Sequence, residues 1–362
     1  MTDQRGATDP PGIDLARLRA YLDEHAPSLP PGALTAERVE GGKSNLTYIV
    51  SDGTSEFVVR RPPLGHVLAT AHDMSREFRV ISALAGTAVP VPHTYLMCDD
   101  VDVIGAPFYV MQRVLGTVYR GIAQTSTLTP ERAASIAYAL VDVLADLHDV
   151  VPASVGLGDF GRPDGFLERQ VARWGKQLAA SRSRDLAGVD ELQGRLAADV
   201  PRSGPPAIVH GDFRLDNAIV GDDDRVAAVL DWEMATIGDP LADLGLLLVY
   251  WDGVSAMPRG TLNQAVTPDA GFPTGAQLIA RYAERRDVDL ARLPWYQALG
   301  FFKLAVISEG IYYRFTQGKT VGAGFAHMGD VVEPLIDQGL AVLGASRDGS
   351  PRGVPSDQIV EA

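Results

Sequence analysis

The sequence predicts an α+β fold in two parts, a small antiparallel sheet carrying one helix followed by a larger, mainly helical part, and three observations lead there. The chain has 362 residues, more than a single hydrophobic core usually serves. Between about 34 and 115 its apolar residues recur at strand spacing, and beyond 129 they recur at helical spacing. At 206–231 the helical text is interrupted by short apolar runs that bracket a dense group of polar side chains.

The elements follow in order. Residues 1–12, "MTDQRGATDPPG", are polar and rich in Pro and Gly, and read as a tail. "LTAERVE" leads into "GGKSN", and then "LTYIV" and "EFVVRR" flank "SDGT", whose Asp52-Gly53 pair suits a tight turn, so a three-strand meander is expected. "SREFRVISALAG" sets Phe78, Ile81 and Leu84 at helical spacing, and "FYVMQRVLG" reads as a short buried strand running into a glycine. These elements make residues 13–115 the first part. In "TPERAASIAYALVDVLADLHDV", Thr129 is a cap, Pro130 occupies the first turn, and Ile136, Leu140, Val143, Leu144 and Leu147 share one face. Further helical text at 165–180, 239–252, 275–287 and 294–316 fills a second part spanning 116–345, and 346–362 reads as a second tail.

Composition removes several classes of function. The chain is 46% apolar and 22% charged, the profile of a folded soluble protein, and no stretch reads as a transmembrane helix. A formal charge of −14 argues against a nucleic-acid or anionic-membrane surface, because neutralising phosphates needs a basic face. The single cysteine, Cys98, excludes an internal disulfide and a multi-cysteine zinc site, and the first residues carry no basic-then-apolar leader, so a cytoplasmic location is expected.

The chemistry concentrates in "HGDFRLDN", residues 210–217. "AIV" at 218–220 and "VAAVL" at 226–230 are short strands separated by the solvated turn "GDDDR", and folding that hairpin brings Asn217 and Asp231 roughly opposite each other at its open end. Asp212 lies a few residues upstream. Such oxygen-bearing side chains suit Mg²⁺, which takes one or two protein oxygens and leaves its other positions to water and phosphate. Asn217 and Asp231 are then the metal ligands, and Asp212 is left to orient a substrate hydroxyl and accept its proton. Each of the three, taken singly, fits a capping or turn residue equally well. His210 reads as a residue that orients this loop, His148 as a helix-end packing residue, Asp239 as a helix cap and Asp243 as a buried anchor.

"HGDFRLDN", followed fourteen residues after Asn217 by "LDWE", resembles the catalytic loop and metal-binding aspartate of the aminoglycoside phosphotransferase family, relatives of the protein kinases. The Asp-to-Asn interval of five matches the kinase H-R-D-x-x-x-x-N pattern, with Gly211 where kinases have arginine and Trp232-Glu233 where they have Phe-Gly. "IGDPLADLG" is also typical of these small-molecule kinases. The resemblance implies a protein-kinase-like two-lobed fold and an ATP-dependent, or GTP-dependent, Mg²⁺-requiring phosphotransferase acting on a hydroxyl group.

A kinase reading requires further parts upstream, in order, and the chain has a candidate for each. Gly41, Gly42, Ser44 and Asn45 of "GGKSN" fall in a turn whose backbone N–H groups could cradle phosphate. Arg60 of "EFVVRR" stands where kinases carry the phosphate-contacting lysine, with Arg61 on the opposite face, and arginine is not interchangeable with lysine in reach or shape. Kinase domains linked to acyl-CoA dehydrogenases, which the chain resembles most in this respect, use arginine here. Glu77 is the natural partner of Arg60. Met111 would line the nucleotide pocket, and the backbone of Gln112 and Val114 would hydrogen-bond adenine.

The acceptor is expected beside Asp212, walled by residues from about 160 to 180 and 300 to 330. "FFKLAVISEGIYYRFTQGK" offers Glu309 together with Lys303, Arg314 and Lys319, which suits a neutral or anionic hydroxylated metabolite, a hydroxyacyl compound among them, better than a polycationic aminoglycoside. The competing reading is a kinase-fold protein that binds nucleotide with little or no turnover, and the arginine at 60 is its only support.

Overall fold

A computed structural model describes residues 9–39, 45–64, 73–254, 257, 262, 264–266, 268–319 and 325–347. Its helices are α1 (Leu15–His25), α2 (Met74–Leu84), α3 (Val101–Ile104), α4 (Ile122–Thr125), α5 (Pro130–Asp149), α6 (Phe166–Ser181), α7 (Val189–Ala198), α8 (Leu241–Leu248), α9 (Gly275–Arg285), α10 (Leu293–Thr316) and α11 (Val332–Arg347). Its strands are β1 (Thr35–Arg38), β2 (Leu46–Ser51), β3 (Glu56–Arg61), β4 (Thr94–Cys98), β5 (Phe108–Gln112), β6 (Ala207–Val209), β7 (Ala218–Val220), β8 (Val226–Val229) and β9 (Thr236–Gly238). The chain divides into two compact units. One takes Met1–Tyr119, Tyr138–Phe160 and His210–Thr236, and the other takes the remaining segments. Among the described residues no helix is long and apolar enough to cross a membrane.

The first unit is built on a five-stranded antiparallel sheet in the order β1-β2-β3-β5-β4. The sequence reading finds four of these strands and misses β4. Strand alternation sends Tyr48 and Val50 of β2 and Phe57 and Val59 of β3 to one face, where they meet Leu18 and Leu22 of α1 in a buried cluster. Helix α1 is absent from the sequence reading. It is started by Asp14, whose carboxylate accepts from the Arg17 amide at 2.9 Å. The same alternation turns Val58 and Arg60 to the other face, while Arg61 remains on the α1 side.

Arg61 is buried there, donating to the carbonyls of Gly12 at 2.5 Å, Ile104 at 2.8 Å and Pro62 at 3.1 Å. Its role is therefore to tie backbone segments together, and its removal would be felt in stability and not as a silent surface change. Residues 9–12, read from sequence as tail, are held by such contacts: the Pro11 carbonyl accepts from the Tyr48 hydroxyl at 2.5 Å, and Asp9 accepts from the Leu15 amide at 2.9 Å.

Helix α2 buries Met74, Val80, Ile81 and Leu84 along one stripe, and Glu77 lies within that stripe. The hairpin β7–β8 belongs to this unit as well. It is joined to the segment after β5 by a two-way backbone bridge, Thr117 to Val220 at 2.8 and 2.9 Å, and to Pro90, whose carbonyl accepts from the Val229 amide at 2.9 Å. Gly116 has φ +147°, and a Cβ there would lie 2.5 Å from the Val220 carbonyl oxygen, so this close crossing requires glycine. In the second unit α10 is the central helix, packed against α6, α7, α8 and α11. Helices α7 and α11 are not found by the sequence reading.

Candidate functional site

Arg60 stands at the middle of the polar network of the first unit. Its Nε donates to Glu77 Oε2 at 3.0 Å, one terminal nitrogen donates to Asp231 Oδ1 at 2.6 Å, and the other lies 3.4 Å from the Thr47 hydroxyl on the neighbouring strand. Glu77 is 1% exposed. Burial pushes its carboxyl pKa up, against the opposing pull of the Arg60 charge. For Arg60 burial works against the charge, but Glu77 and then Tyr109, Asp231 and Glu233 outweigh it, so the guanidinium holds its proton more tightly than usual.

The loop between β6 and β7 is held by His210. Its Nδ1 accepts from the Asp212 amide at 3.2 Å and its Nε2 faces the Leu230 carbonyl at 2.9 Å. An amide donor on one side and a carbonyl acceptor on the other require the tautomer with its proton on Nε2. The ring is fully buried, 4.7 Å from Trp232 and 5.8 Å from Phe213. Gly211 turns the chain with φ +84°, and a Cβ there would meet the Met234 carbonyl oxygen at 2.8 Å and the Met234 Cβ at 2.9 Å. Kinases carry arginine at this position, and here the turn excludes any side chain. Gly211→Ala is expected to cost about 1–3 kcal/mol from the strained φ alone, read as a lowered Tm by calorimetry.

Asp212 is fixed twice by one amide: Asn217 Nδ2 donates to the Asp212 carbonyl at 2.9 Å and to its Oδ2 at 3.1 Å. Arg214, which the sequence reading passes over, places Nε 3.3 Å from the same Oδ2 and 3.0 Å from Asp216 Oδ1. Because the Asn217 side-chain nitrogen is directed at Asp212, its side-chain oxygen Oδ1 is the atom turned away from Asp212 and placed to meet a cation.

Across the hairpin the Leu230 amide donates to the Asn217 carbonyl at 2.8 Å, which sets Asp231 next to the residue opposite Asn217. Asp231 has φ 67° and ψ 56°, a left-handed conformation that aspartate tolerates better than most residues, and it starts a short 3₁₀ turn over Trp232–Met234. It is 31% exposed, and its Oδ2 is not engaged by Arg60. Asn217 and Asp231 thus supply one neutral and one anionic oxygen, a donor set that fits a hard divalent cation. Among the described residues no three His, Cys, Asp or Glu are grouped to hold a metal, so a cation here would depend on phosphate oxygens for the rest of its shell.

Two residues beyond Asp231, Glu233 accepts from Asn45 Nδ2 at 3.2 Å. Glu233 lies within the quoted "LDWE", but nothing local in the sequence links it to Asn45. Of the loop residues expected to cradle phosphate, Gly41, Gly42 and Ser44 lie outside the described residues.

At the end of β5, Met111 is buried opposite Val58, on the Arg60 face of the sheet. The Gln112 amide is already spent on the His93 carbonyl at 2.7 Å, and the Gln112 side chain accepts from the His93 amide at 3.3 Å. That corrects one expectation: the Gln112 N–H is not available to adenine. The Val114 peptide has no hydrogen-bond partner among the described residues.

In the second unit two of the side chains expected around the acceptor, Glu309 and Lys303, are committed to structure, whereas Arg314 and Lys319 are exposed. Glu309 is 0% exposed, its Oε1 accepting from the Ser183 amide and hydroxyl at 3.2 and 2.9 Å and its Oε2 from Arg184 at 3.2 Å. Lys303 is buried, with its ammonium 5.6 Å from the Trp174 ring centroid. Asp239 caps α8 by accepting from the Leu241 amide at 3.0 Å and also accepts from the Tyr296 hydroxyl at 2.8 Å.

Comparison with known proteins places this geometry. A family profile described as "Phosphotransferase enzyme family" matches residues 35–278. Acyl-CoA dehydrogenase family member 11 of Rattus norvegicus is 36% identical over 335 residues, 91% of this chain and 43% of that protein. Acyl-CoA dehydrogenase family member 10 of Mus musculus is 33% identical over 324 residues, 88% of this chain and 30% of that protein. The chain therefore spans less than half the length of these relatives. A crystal structure from Ralstonia eutropha JMP134, of a protein assigned as an aminoglycoside phosphotransferase, superimposes with TM-score 0.80 at 30% identity over 94% of this chain and all of that one. Aminoglycoside phosphotransferase APH(4)-Ia, at 17% identity, TM-score 0.59 and coverage of 93% and 99%, shares the fold.

Proposed function

Since the chain belongs to the phosphotransferase enzyme family, we propose that it transfers the γ-phosphoryl group of ATP to a hydroxyl group of a small molecule, with Asp212 as the general base. The observation that carries this reading is that one unit holds two hydrogen-bonded groups, Asp212 with Asn217 and Asp231 with Arg60 and Glu77, brought side by side where the Leu230 amide donates to the Asn217 backbone carbonyl. Asp212 has its orientation fixed by Asn217, so one carboxylate oxygen can align the acceptor hydroxyl and take its proton as the oxygen–phosphorus bond forms and the bond to the departing ADP breaks. Asn217 and Asp231 would hold Mg²⁺, which when bound neutralises phosphate charge. Arg60 would exchange part of its contact with Asp231 for phosphate oxygens, a pairing its planar fork suits. The Val114 N–H and the Gln112 carbonyl would meet adenine.

The acceptor we infer is a neutral or anionic hydroxylated molecule with an acyl part. Two things support this. The one carboxylate of α10, Glu309, is buried and paired, so that helix offers no anion for a polycationic antibiotic. The relatives that are 33–36% identical to this chain over the aligned residues carry the matching segment in proteins named for acyl-CoA dehydrogenation.

Calorimetry should show Mg²⁺-dependent ATP binding, and ATP at about 100 times its Kd should stabilise the fold by about 2.7 kcal/mol, seen as a raised Tm. ADP release should then be found with hydroxyacyl substrates and not with aminoglycosides. Release with aminoglycosides alone would reverse the acceptor assignment, and absence of Mg²⁺-dependent ATP binding would remove the reading.

A further inference from the structure

We infer that Tyr109 is a positioning residue for the phosphate-contacting arginine: its hydroxyl is the donor that Glu77 takes up when Arg60 turns toward nucleotide phosphates. The inference rests on the phosphotransferase reading above and adds a residue that the metal, base and phosphate-contact assignments do not include. In the β3–β5 register Tyr109 is the direct cross-strand neighbour of Arg60, so both side chains leave the same face of the sheet. Phe108 and Val110, on either side of it in β5, join the cluster on the α1 face instead. Helix α2 packs on the Arg60 face, with the Phe78 ring centroid 6.1 Å from that of Tyr109. Tyr109 is 0% exposed, and among the described residues no group meets its hydroxyl in hydrogen-bond geometry. A buried tyrosine hydroxyl ordinarily has a partner.

What surrounds the hydroxyl gives it a use. Burial, and then the Glu77 charge, raise the phenol pKa well above its ordinary value, so the oxygen keeps its proton and can donate it. Arg60 Nε meets the Glu77 carboxylate at Oε2, and a carboxylate with one N–H on one oxygen has acceptor sites for a second donor. In the structure the guanidinium serves two anions, Glu77 at 3.0 Å and Asp231 at 2.6 Å. With phosphate oxygens replacing part of the Asp231 contact, Glu77 would share that one positive charge with a more highly charged anion. A buried carboxylate whose counter-charge is drawn away needs another hydrogen bond. Tyr109 supplies it without carrying a charge, so it does not compete with phosphate for the guanidinium. The bond from Tyr109 to Glu77 then keeps the carboxylate in place to hold Arg60 Nε while the terminal nitrogens reach the phosphates. A hydrogen bond gained only with phosphate bound adds its free energy to nucleotide affinity and nothing to the fold.

The test uses the full chain and Tyr109→Phe, which removes the hydroxyl and keeps the ring. Calorimetric titration with Mg²⁺ and the non-hydrolysable ATP analogue AMP-PNP is paired with Tm measured without nucleotide, on wild type, Y109F, E77Q and Y109F/E77Q. Y109F is expected to bind AMP-PNP about tenfold more weakly, the scale of one hydrogen bond to a charged group. Its Tm without nucleotide should be unchanged or raised, since a buried hydroxyl with no partner stabilises nothing. A merely structural role would do the reverse, lowering Tm and leaving affinity alone. In the E77Q background, where no charge remains to be compensated, the further loss on adding Y109F should shrink to about twofold or less. Unchanged AMP-PNP affinity in Y109F, or a lowered Tm without nucleotide, would overturn the inference and leave the phosphotransferase reading intact. So would a loss of equal size in the wild-type and E77Q backgrounds, which would place the partner of the hydroxyl elsewhere. A wild type that binds no Mg-nucleotide would remove both.

Discussion

Asp212→Asn should lower kcat by about 10²- to 10⁴-fold, the usual contribution of a general base, while leaving the affinity for Mg-ATP nearly unchanged. The substitution is nearly isosteric, and an asparagine oxygen can still accept from Asn217 Nδ2, which holds Asp212 at 3.1 Å through Oδ2 and at 2.9 Å through its carbonyl. The loop geometry should therefore survive. What is lost is the ability to take a proton as the acceptor oxygen bonds to phosphorus, and that loss is confined to the transition state. Single-turnover ADP release alongside AMP-PNP calorimetry separates the two quantities. A fall of less than tenfold in kcat, or a parallel fall in nucleotide affinity, would take the base assignment away from Asp212.

Arg60→Met should destabilise the fold by about 3–5 kcal/mol, because it breaks a buried ion pair by removing one partner. Glu77, 1% exposed, would be left without its cation. Burial already raises the Glu77 carboxyl, and Arg60 is the leading influence opposing that rise, so its removal raises the folded-state pKa further. A carboxyl with a folded pKa above its unfolded value of about 4.3 favours the folded state only while protonated. Its contribution is complete below the unfolded pKa and is lost as pH climbs through the folded one. The deficit of Arg60→Met relative to wild type should therefore be smallest in acid and should widen toward neutral pH, measured as Tm across that range. Adding Glu77→Gln should flatten the pH dependence and recover stability without restoring nucleotide binding. A deficit independent of pH would mean that the pair contributes packing and not charge.

What the sequence makes legible is what is local. The β2–β3 hairpin is readable because Asp52 organises its own turn, accepting from the amides of Thr54 and Ser55 at 2.7 and 2.8 Å, with Gly53 at φ 89° beside it. The β7–β8 hairpin is readable for the same reason, with Asp223 accepting from the Arg225 amide at 3.1 Å. The pairing of Arg60 with Glu77 is visible through the kinase resemblance, which asks for a basic residue on the third strand and an acidic partner on the helix after it. Helix α1 is hidden because its stripe is narrow, Leu18 and Leu22 being its buried residues among many polar ones. Helix α11 is hidden because a proline and two glycines interrupt its text. Strand β4 carries a register irregularity between Thr94 and Leu96 that blurs its alternation. The Asn45–Glu233 bond and the Gly12 and Ile104 carbonyls held by Arg61 have no sequence signal, since each joins segments far apart along the chain.

The first unit is composed of three stretches, ending at residues 119, 160 and 236. A chain emerging from the ribosome can form the β1–β5 sheet early, but the Val229–Pro90 and Thr117–Val220 links and the Arg60–Asp231 pair must wait until the third stretch has been made. Until then Glu77 faces Arg60 without the turn that completes the network. Contacts at such sequence separation slow folding, because loop-closure entropy must be met before they form. Synthesis of this protein thus has a built-in order: the sheet is made first, the proposed nucleotide site is completed only after residue 236, and on that proposal a nascent chain is not competent for phosphoryl transfer before that point.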